Sequence, residues 1–382
     1  MRMMNHRNAK DMNIVRVTRR PFPNNTSTGR ISSNGQSSAR DAHDCIQSMS
    51  FLENTFRYMF AFGTTVDVVR PRLVVSQCLG LAPCRYDGKM VESKLVTRMK
   101  GKVDLLPVCP EVAVGLGVPR EPIRLVSLKN EERTLLQPST GLDLTDRVQR
   151  YCGSFLMGLD QIDGFLMKSR SPTCGLKDAL VYLDEKSDSP LPQKRPGLFG
   201  EAVLARFSDL AVEDEAEMSN AGIAEHFLTK LYTFARFREL DRDVSALMQY
   251  QADNKLLLMT YGQNKMRLLG NIASNRDKRD VEYVFHQYQY LLRSMFENRP
   301  KRGSVVNVLM HALGYYKEKL SEDEKKEFLA ALGSYREDGA PLVPCLDLMR
   351  SYNLRFGNEY LTRQTFFEPY PKDLLDGSPA DP

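Results

Sequence analysis

The hydrophobic positions of this chain change period once, near residue 220. Before that point, short apolar runs predict buried strands: the β-branched RPRLVVSQC over 70–78, then VDLLPV over 103–108 and GFLMK over 164–168. Each is too short for a helix and runs into a turn carrying Pro or Gly. Between the last two, LTDRVQRYCGSFLMGL (144–159) repeats apolar residues at helical spacing, with Asp143 or Thr145 as its N-cap. The Pro-, Lys- and Ser-rich stretch 184–197 reads as a loop, and 198–212 as a closing strand or helix. Alternation of strand and helix predicts an α/β domain with a mainly parallel sheet.

After it, helical periods follow one another at 224–240, 243–272, 280–298, 304–320 and 322–337, the last opened by a capping box, Ser321 with Glu324. This half is expected to be all-α. Pro341, Pro344, Pro369 and Pro371 punctuate the C-terminal segment, and DGSPADP at the end should fray. Residues 1–66 are rich in Asn, Ser, Arg and Met and keep no period beyond a short apolar patch at 56–62, so a disordered extension is expected there. The expected organisation is therefore a 1–66 extension, a 67–219 α/β domain and a 220–382 all-α domain.

Composition narrows the class. With 382 residues, 42% apolar and 26% charged, the chain is too long for one ordinary core and close to the average of soluble proteins. No run of 18 apolar residues exists, so no membrane partner is expected. Seven cysteines, an odd number, with no secretory segment near Met1, argue against a disulfide framework and for reduced thiols in a cytoplasm. The net charge of +5 is uneven, because residues 1–72 hold 11 Lys/Arg against 5 acids.

Three thiols carry the candidate chemistry. Cys78, Cys109 and Cys174 each follow a predicted strand and each sits in a turn, and in open parallel sheets the crevice outside such strand ends is where ligands bind. Their separations, 31 and 65 residues, are unlike the paired knuckles of a zinc ribbon. All five histidines lie outside 73–219, so neither a Cys-His dyad nor a Ser-His-Asp triad can form within that segment. Two sulfur-rich sites stay open: zinc on three thiols with Cys84, Cys152 or a carboxylate, or an iron–sulfur cluster on three cysteines.

Four separated motifs resemble, in order, those of the thiouracil desulfidase (TudS) family: VVSQCLGLAPCRYDG (74–88), PVCPEVAVGLGVPREPIRL (107–125), GLDLTD (141–146) and KSRSPTCG (168–175). The second half is similar to the YbgA-type domain through NVLMHALGYYKEKLS (307–321), YREDGAPLVPCLDLMRSY (335–352) and YLTRQTFFEPYPKDL (360–374). The two together resemble the desulfidases called RudS, which act on 4-thiouridine in tRNA. The resemblance implies a [4Fe–4S] cluster on Cys78, Cys109 and Cys174 with one iron not ligated by protein. It implies conversion of C=S to C=O with release of sulfide and no electron donor. Glu111, two residues after one ligand, and Ser171, three before another, are then placed to position water or shuttle protons. Arg120 would hold a substrate phosphate or base edge, or pair with Asp143 or Asp146. Cys84 and Cys152 read as structural. The alternatives are a desulfidase of free thiouracil-type bases and a non-catalytic zinc or RNA-binding protein.

A tRNA contact needs its own residues. The stretch 264–302 carries nine basic residues against four acids, among them Lys265, Arg267, Arg276, Lys278, Arg279, Lys301 and Arg302. These cations would track phosphate while Tyr283, Tyr288, Tyr290, Tyr315 and Tyr316 stack on bases. The competing reading is a solvated helix face over an aromatic core. His286 and His311, at apolar spacing, are expected in that core.

Overall fold

A computed structural model describes residues 69–127, 133–338 and 341–375. The extension over 1–66, its apolar patch at 56–62 and the end of the chain expected to fray, from 376, lie outside the described residues.

Four strands, β1 (Arg72–Ser76), β2 (Asp104–Val108), β6 (Gly164–Met167) and β8 (Ala211–Asp214), form a parallel sheet in the order β2-β1-β6-β8. β1 and β6 are central and almost wholly buried, as their unbroken apolar runs require. β2 is an edge strand, which tolerates Pro107 because no neighbour needs its missing N–H. Alternate residues of β1 face opposite ways. Val74 joins Phe165, Cys152, Leu156 and Phe199 on one face, under α3 (Thr145–Met157) and α4 (Leu198–Phe207). Leu73 and Val75 join Leu166 on the other, under α1 (Lys94–Met99) and α5 (Ala221–Arg238).

Helix α5 therefore covers the sheet, although it lies beyond residue 219. Phe227, Leu228, Leu231 and Tyr232 complete the second face. Gly164 is needed for this approach, since a Cβ there would run into the Ala211 carbonyl and stand 3.0 Å from Leu231.

A second sheet was not legible in the sequence. β3 (Arg124–Ser127), β4 (Arg133–Gln137), β5 (Leu142–Asp143) and β7 (Val181–Tyr182) run in the order β5-β4-β3-β7, antiparallel except for β3 with β7. Strands of two to five residues give too few positions for a period to show. The N-cap of α3 is Leu144, not Asp143 or Thr145. Asp143 still accepts from the N–H of the first helical residue, Thr145, at 2.8 Å, whereas the Thr145 hydroxyl accepts from Leu135 N–H of β4 at 2.8 Å and ties the helix to the sheet.

In the helical half, the expected single helix over 243–272 is three: α6 (Val244–Asp253), α7 (Lys255–Tyr261) and α8 (Gln263–Ala273). The break at Asn254 is held by the distant C-terminal segment. Gln364 accepts from Leu256 N–H and donates to Ala252 O, and Thr365 donates to Asn254 Oδ1. α9 (Val281–Met295), α10 (Arg302–Leu313) and α11 (Glu322–Gly333) follow, the last with both bonds of its capping box made. The Pro-punctuated segment also contains α12 (Val343–Phe356), because Pro344 sits in its first turn where no N–H is needed, and α13 (Glu359–Thr362). The α/β fold with an all-helical second half is thus as expected. Among the described residues no helix is long and apolar enough to cross a membrane.

Candidate active site

The three adjacent strands β2, β1 and β6 each deliver one thiol at their carboxyl ends. Cys78 lies two residues past β1, in a loop tied back by Gln77 N–H to Val108 O and Val91 N–H to Cys78 O, both 2.8 Å. Cys109 follows β2 directly and is the N-cap of the short helix α2 (Pro110–Ala113). Cys174 lies in the turn after β6, which the start of α4 clamps through Phe199 and Gly200 N–H to Thr173 O at 2.9 and 3.0 Å. Gly200 is required here, because a Cβ would collide with the Gly175 carbonyl. All three cysteines line one cavity of about 480 Å³, together with Glu111, Ser171, Arg120, Thr173 and a fourth thiol, Cys84.

Burial controls the thiols. Desolvation, and then the neighbouring Cys109, pushes Cys78 up to about 11 and Cys84 up to about 12. Cys174 is raised well above its ordinary value, again mainly by desolvation. Protons must therefore leave when a metal enters. Cys152, on the buried face of α3, and Cys345, buried in the helical half, are not on the cavity lining.

Glu111 and Ser171 meet the same network from opposite sides. Arg120 holds Glu111 Oε2 through Nε at 3.0 Å and through Nη2, and donates from Nη1 to Cys84 O at 3.0 Å. Arg120 thus pairs with Glu111 and not with Asp143 or Asp146. The hydroxyl of Thr173 stands 2.8 Å from Glu111 Oε1 and 3.0 Å from Ser171 Oγ. Ser171 Oγ accepts from the N–H groups of Thr173 and Cys174 at 3.2 and 3.0 Å. Sequence reasoning passed over Thr173, though it stands inside the KSRSPTCG motif. It could not find Arg124 and Tyr182, stacked at 4.4 Å on the cavity wall, because they come from two short strands of the second sheet.

Three thiols from separate strand ends on one cavity, with no imidazole in its lining, are a soft donor set that fits an iron–sulfur cluster. Among the described residues no three His, Cys, Asp or Glu side chains are grouped closely enough to hold a single metal ion.

The expected RNA-binding residues divide. Arg267, Arg276, Lys278 and Lys301 are exposed. Arg276 and Lys278 lie in the turn between α8 and α9, locked by Asn275, which exchanges two hydrogen bonds with the Arg279 backbone at 2.8 and 2.9 Å. Arg279 is exposed beside Asp277, over the Tyr283 ring. Lys265 is half-buried and engaged by Ser294, and Arg302, though exposed, reaches Tyr335 O. Tyr283, Tyr290 and Tyr315 are exposed, whereas Tyr288 and Tyr316 are fully buried and cannot stack on a base. His286 and His311 are exposed, not in the core as their spacing suggested.

Residues 73–215 match the model of the 2-thiouracil desulfurase family, and residues 255–371 match a family described as a protein of unknown function, DUF1722. The chain is 25% identical over 143 residues to the uncharacterized protein YbgA of Escherichia coli (strain K12), covering 37% of this chain and 85% of that protein. It is 27% identical over 109 residues to the uncharacterized protein YbbK of Bacillus subtilis (strain 168), covering 27% of this chain and 72% of that protein. A solved structure of the [4Fe–4S]-dependent thiouracil desulfidase TudS aligns with a TM-score of 0.32 and 26% identity, covering 41% of this chain and 98% of that one. The resemblance carried by the motifs holds in both halves. The family match supports a desulfidase.

Proposed function

We propose that this protein is an iron–sulfur-dependent desulfidase that converts a thiocarbonyl to a carbonyl with release of sulfide, and that its substrate is 4-thiouridine in tRNA. The observation that carries the reading is the convergence of Cys78, Cys109 and Cys174 on one cavity. These three residues would hold a [4Fe–4S] cluster with one iron left unligated by protein, which when bound supplies a soft Lewis acid for the thiocarbonyl sulfur. The remaining work falls to the chain. Water replaces sulfur on the same carbon, so the oxidation state is unchanged and only protons must be moved. Glu111 and Ser171, on the cavity lining, take and return them, and Arg120 fixes the Glu111 carboxylate. The exposed cations Arg267, Arg276, Lys278, Arg279 and Lys301 would track the tRNA phosphates, next to Tyr283 and Tyr290 as stacking faces.

A second reading, turnover of a free thiobase, is favoured by the cavity itself, whose volume is in the range of small-molecule sites. Sulfide release by the anaerobically reconstituted protein, measured on tRNA bearing 4-thiouridine and on free 4-thiouracil, decides. Higher kcat/KM on the tRNA is expected. Turnover of the free base alone replaces the tRNA reading with the second one. A protein that holds zinc and releases no sulfide from either substrate overturns both.

A further inference from the structure

Thr173 is fully buried and directly precedes Cys174. Its hydroxyl is 2.8 Å from Glu111 Oε1 and 3.0 Å from Ser171 Oγ. What each group can accept sets the direction of these bonds. A carboxylate oxygen only accepts, and Oε2 is taken by Arg120, so Thr173 donates to Oε1. A hydroxyl has one proton, so towards Ser171 the Thr173 oxygen must be the acceptor. Ser171 Oγ already accepts from two backbone N–H groups, at 3.2 and 3.0 Å, which uses its lone pairs and leaves its own proton for Thr173. The chain is therefore oriented, Ser171 to Thr173 to Glu111.

We propose that Thr173 is the positioning residue that joins Ser171 to Glu111 and through which protons pass between them; this rests on the desulfidase reading. As water adds to the thiocarbonyl carbon, the proton of Thr173 moves to Glu111 and that of Ser171 to Thr173, which frees a third lone pair on Ser171 Oγ to take the proton of the breaking water O–H bond. The two N–H groups on Ser171 stabilise charge that develops there in transit. When the C–S bond breaks, the proton returns along the same path to the departing sulfur, and the hydroxyl left on the carbon gives up its proton as the C=O bond forms, which supplies the second proton of the sulfide. One water enters, one hydrogen sulfide leaves, and no oxidant or reductant is consumed.

The test compares Thr173→Val, which keeps the shape and removes the hydroxyl, with Thr173→Ser, which keeps it. Iron content and the visible spectrum are recorded for each. Thr173→Val is expected to lower kcat on the order of 10²-fold with KM unchanged, the scale of lost proton-transfer assistance. Its solvent deuterium isotope effect on kcat should change, while Thr173→Ser restores wild-type rate and isotope effect. Wild-type kcat in Thr173→Val overturns the proposal. So does loss of iron in that variant, which would make the hydroxyl a support of the cluster. Failure of the desulfidase reading looks different: the wild-type protein, loaded with iron, releases no sulfide from either substrate, and the inference falls with it.

Discussion

Arg238, at the end of helix α5, and Asp163, at the start of β6, form a two-pronged buried ion pair, with Nε 3.1 Å from Oδ1 and Nη2 2.9 Å from Oδ2. The same carboxylate accepts from Arg72 N–H at 2.8 Å, and Arg238 also reaches Arg70 O at 3.1 Å. One residue of the helical half thereby fastens the entries of the two central strands. Burial nonetheless raises the Asp163 carboxyl above its ordinary range against the pull of Arg238. Losing one partner should then cost far more than losing both.

Arg238→Met is expected to destabilise the protein by about 3–5 kcal/mol, the cost of stranding a buried charge, and Asp163→Asn in the same chain to recover part of it. Urea unfolding measures both. A loss below about 1 kcal/mol for the single variant, the scale of a surface pair, would show that Asp163 finds water instead. By the same geometry, a chain ending at residue 219 should fail to fold, since it loses the α5 residues that cover Leu73, Val75 and Leu166. A native-like circular dichroism spectrum from that truncation would refute this dependence on α5.

Cys78→Ala, Cys109→Ala and Cys174→Ala should each abolish iron retention and sulfide release, because each removes one of three thiols from the cavity. Cys345→Ala and Cys152→Ala should retain iron, with a stability loss at most, since neither residue lines the cavity. Iron analysis after anaerobic reconstitution separates the two groups. Full iron content in any of the first three would sink the ligand assignment.

The basic turn between α8 and α9 has its own signature. Replacing Arg276 and Arg279 by Gln and Lys278 by Asn, which tolerates the positive φ of 51° found there, should weaken tRNA binding. The salt dependence should flatten by roughly one unit of slope, or slightly less, for each phosphate no longer neutralised. Turnover of free 4-thiouracil should not change. Unaltered tRNA affinity at every salt concentration would assign this turn to plain solvation.

His226, half-buried with Nδ1 3.0 Å from the Tyr261 hydroxyl, is held down to about 4 from an ordinary 6.5, chiefly by burial and then by Lys230 and Arg299. The unfolded chain binds the proton more readily than the folded one. Stability that is complete above about 6.5 should thus fall away as the pH drops towards 4. His226→Gln should flatten this part of the stability profile. Parallel profiles for wild type and variant would count against the effect.

Local features of the sequence were legible because their physics is local. The apolar runs that became β1 and β6, the turns that follow them, and the Ser321–Glu324 capping box all rest on interactions within a few residues. So the sequence alone placed Cys78, Cys109 and Cys174 at the carboxyl ends of strands, which in a parallel sheet share one edge. Periodicity records which residues are buried but not what they are buried against. Hence Tyr288 read as available for stacking, although it lies flat on Phe237 at 5.5 Å inside the core. Likewise α5 read as part of a separate helical domain, although its apolar face belongs to the sheet.

Partner choice across long separations was decided by the tertiary structure alone. The break at Asn254 depends on Gln364 and Thr365, more than a hundred residues away, because only a packed neighbour can take the backbone bonds that the helix gives up. Glu111 meets Thr173 across 62 residues because β2 and β6, the two neighbours of β1 in one parallel sheet, bring the turns that follow them to the same cavity. The sequence by itself determined which thiols stand at strand ends. Strand order and burial decided which hydroxyl and which guanidinium share the carboxylate beside them, since a hydrogen bond depends on distances that no spacing along the chain encodes.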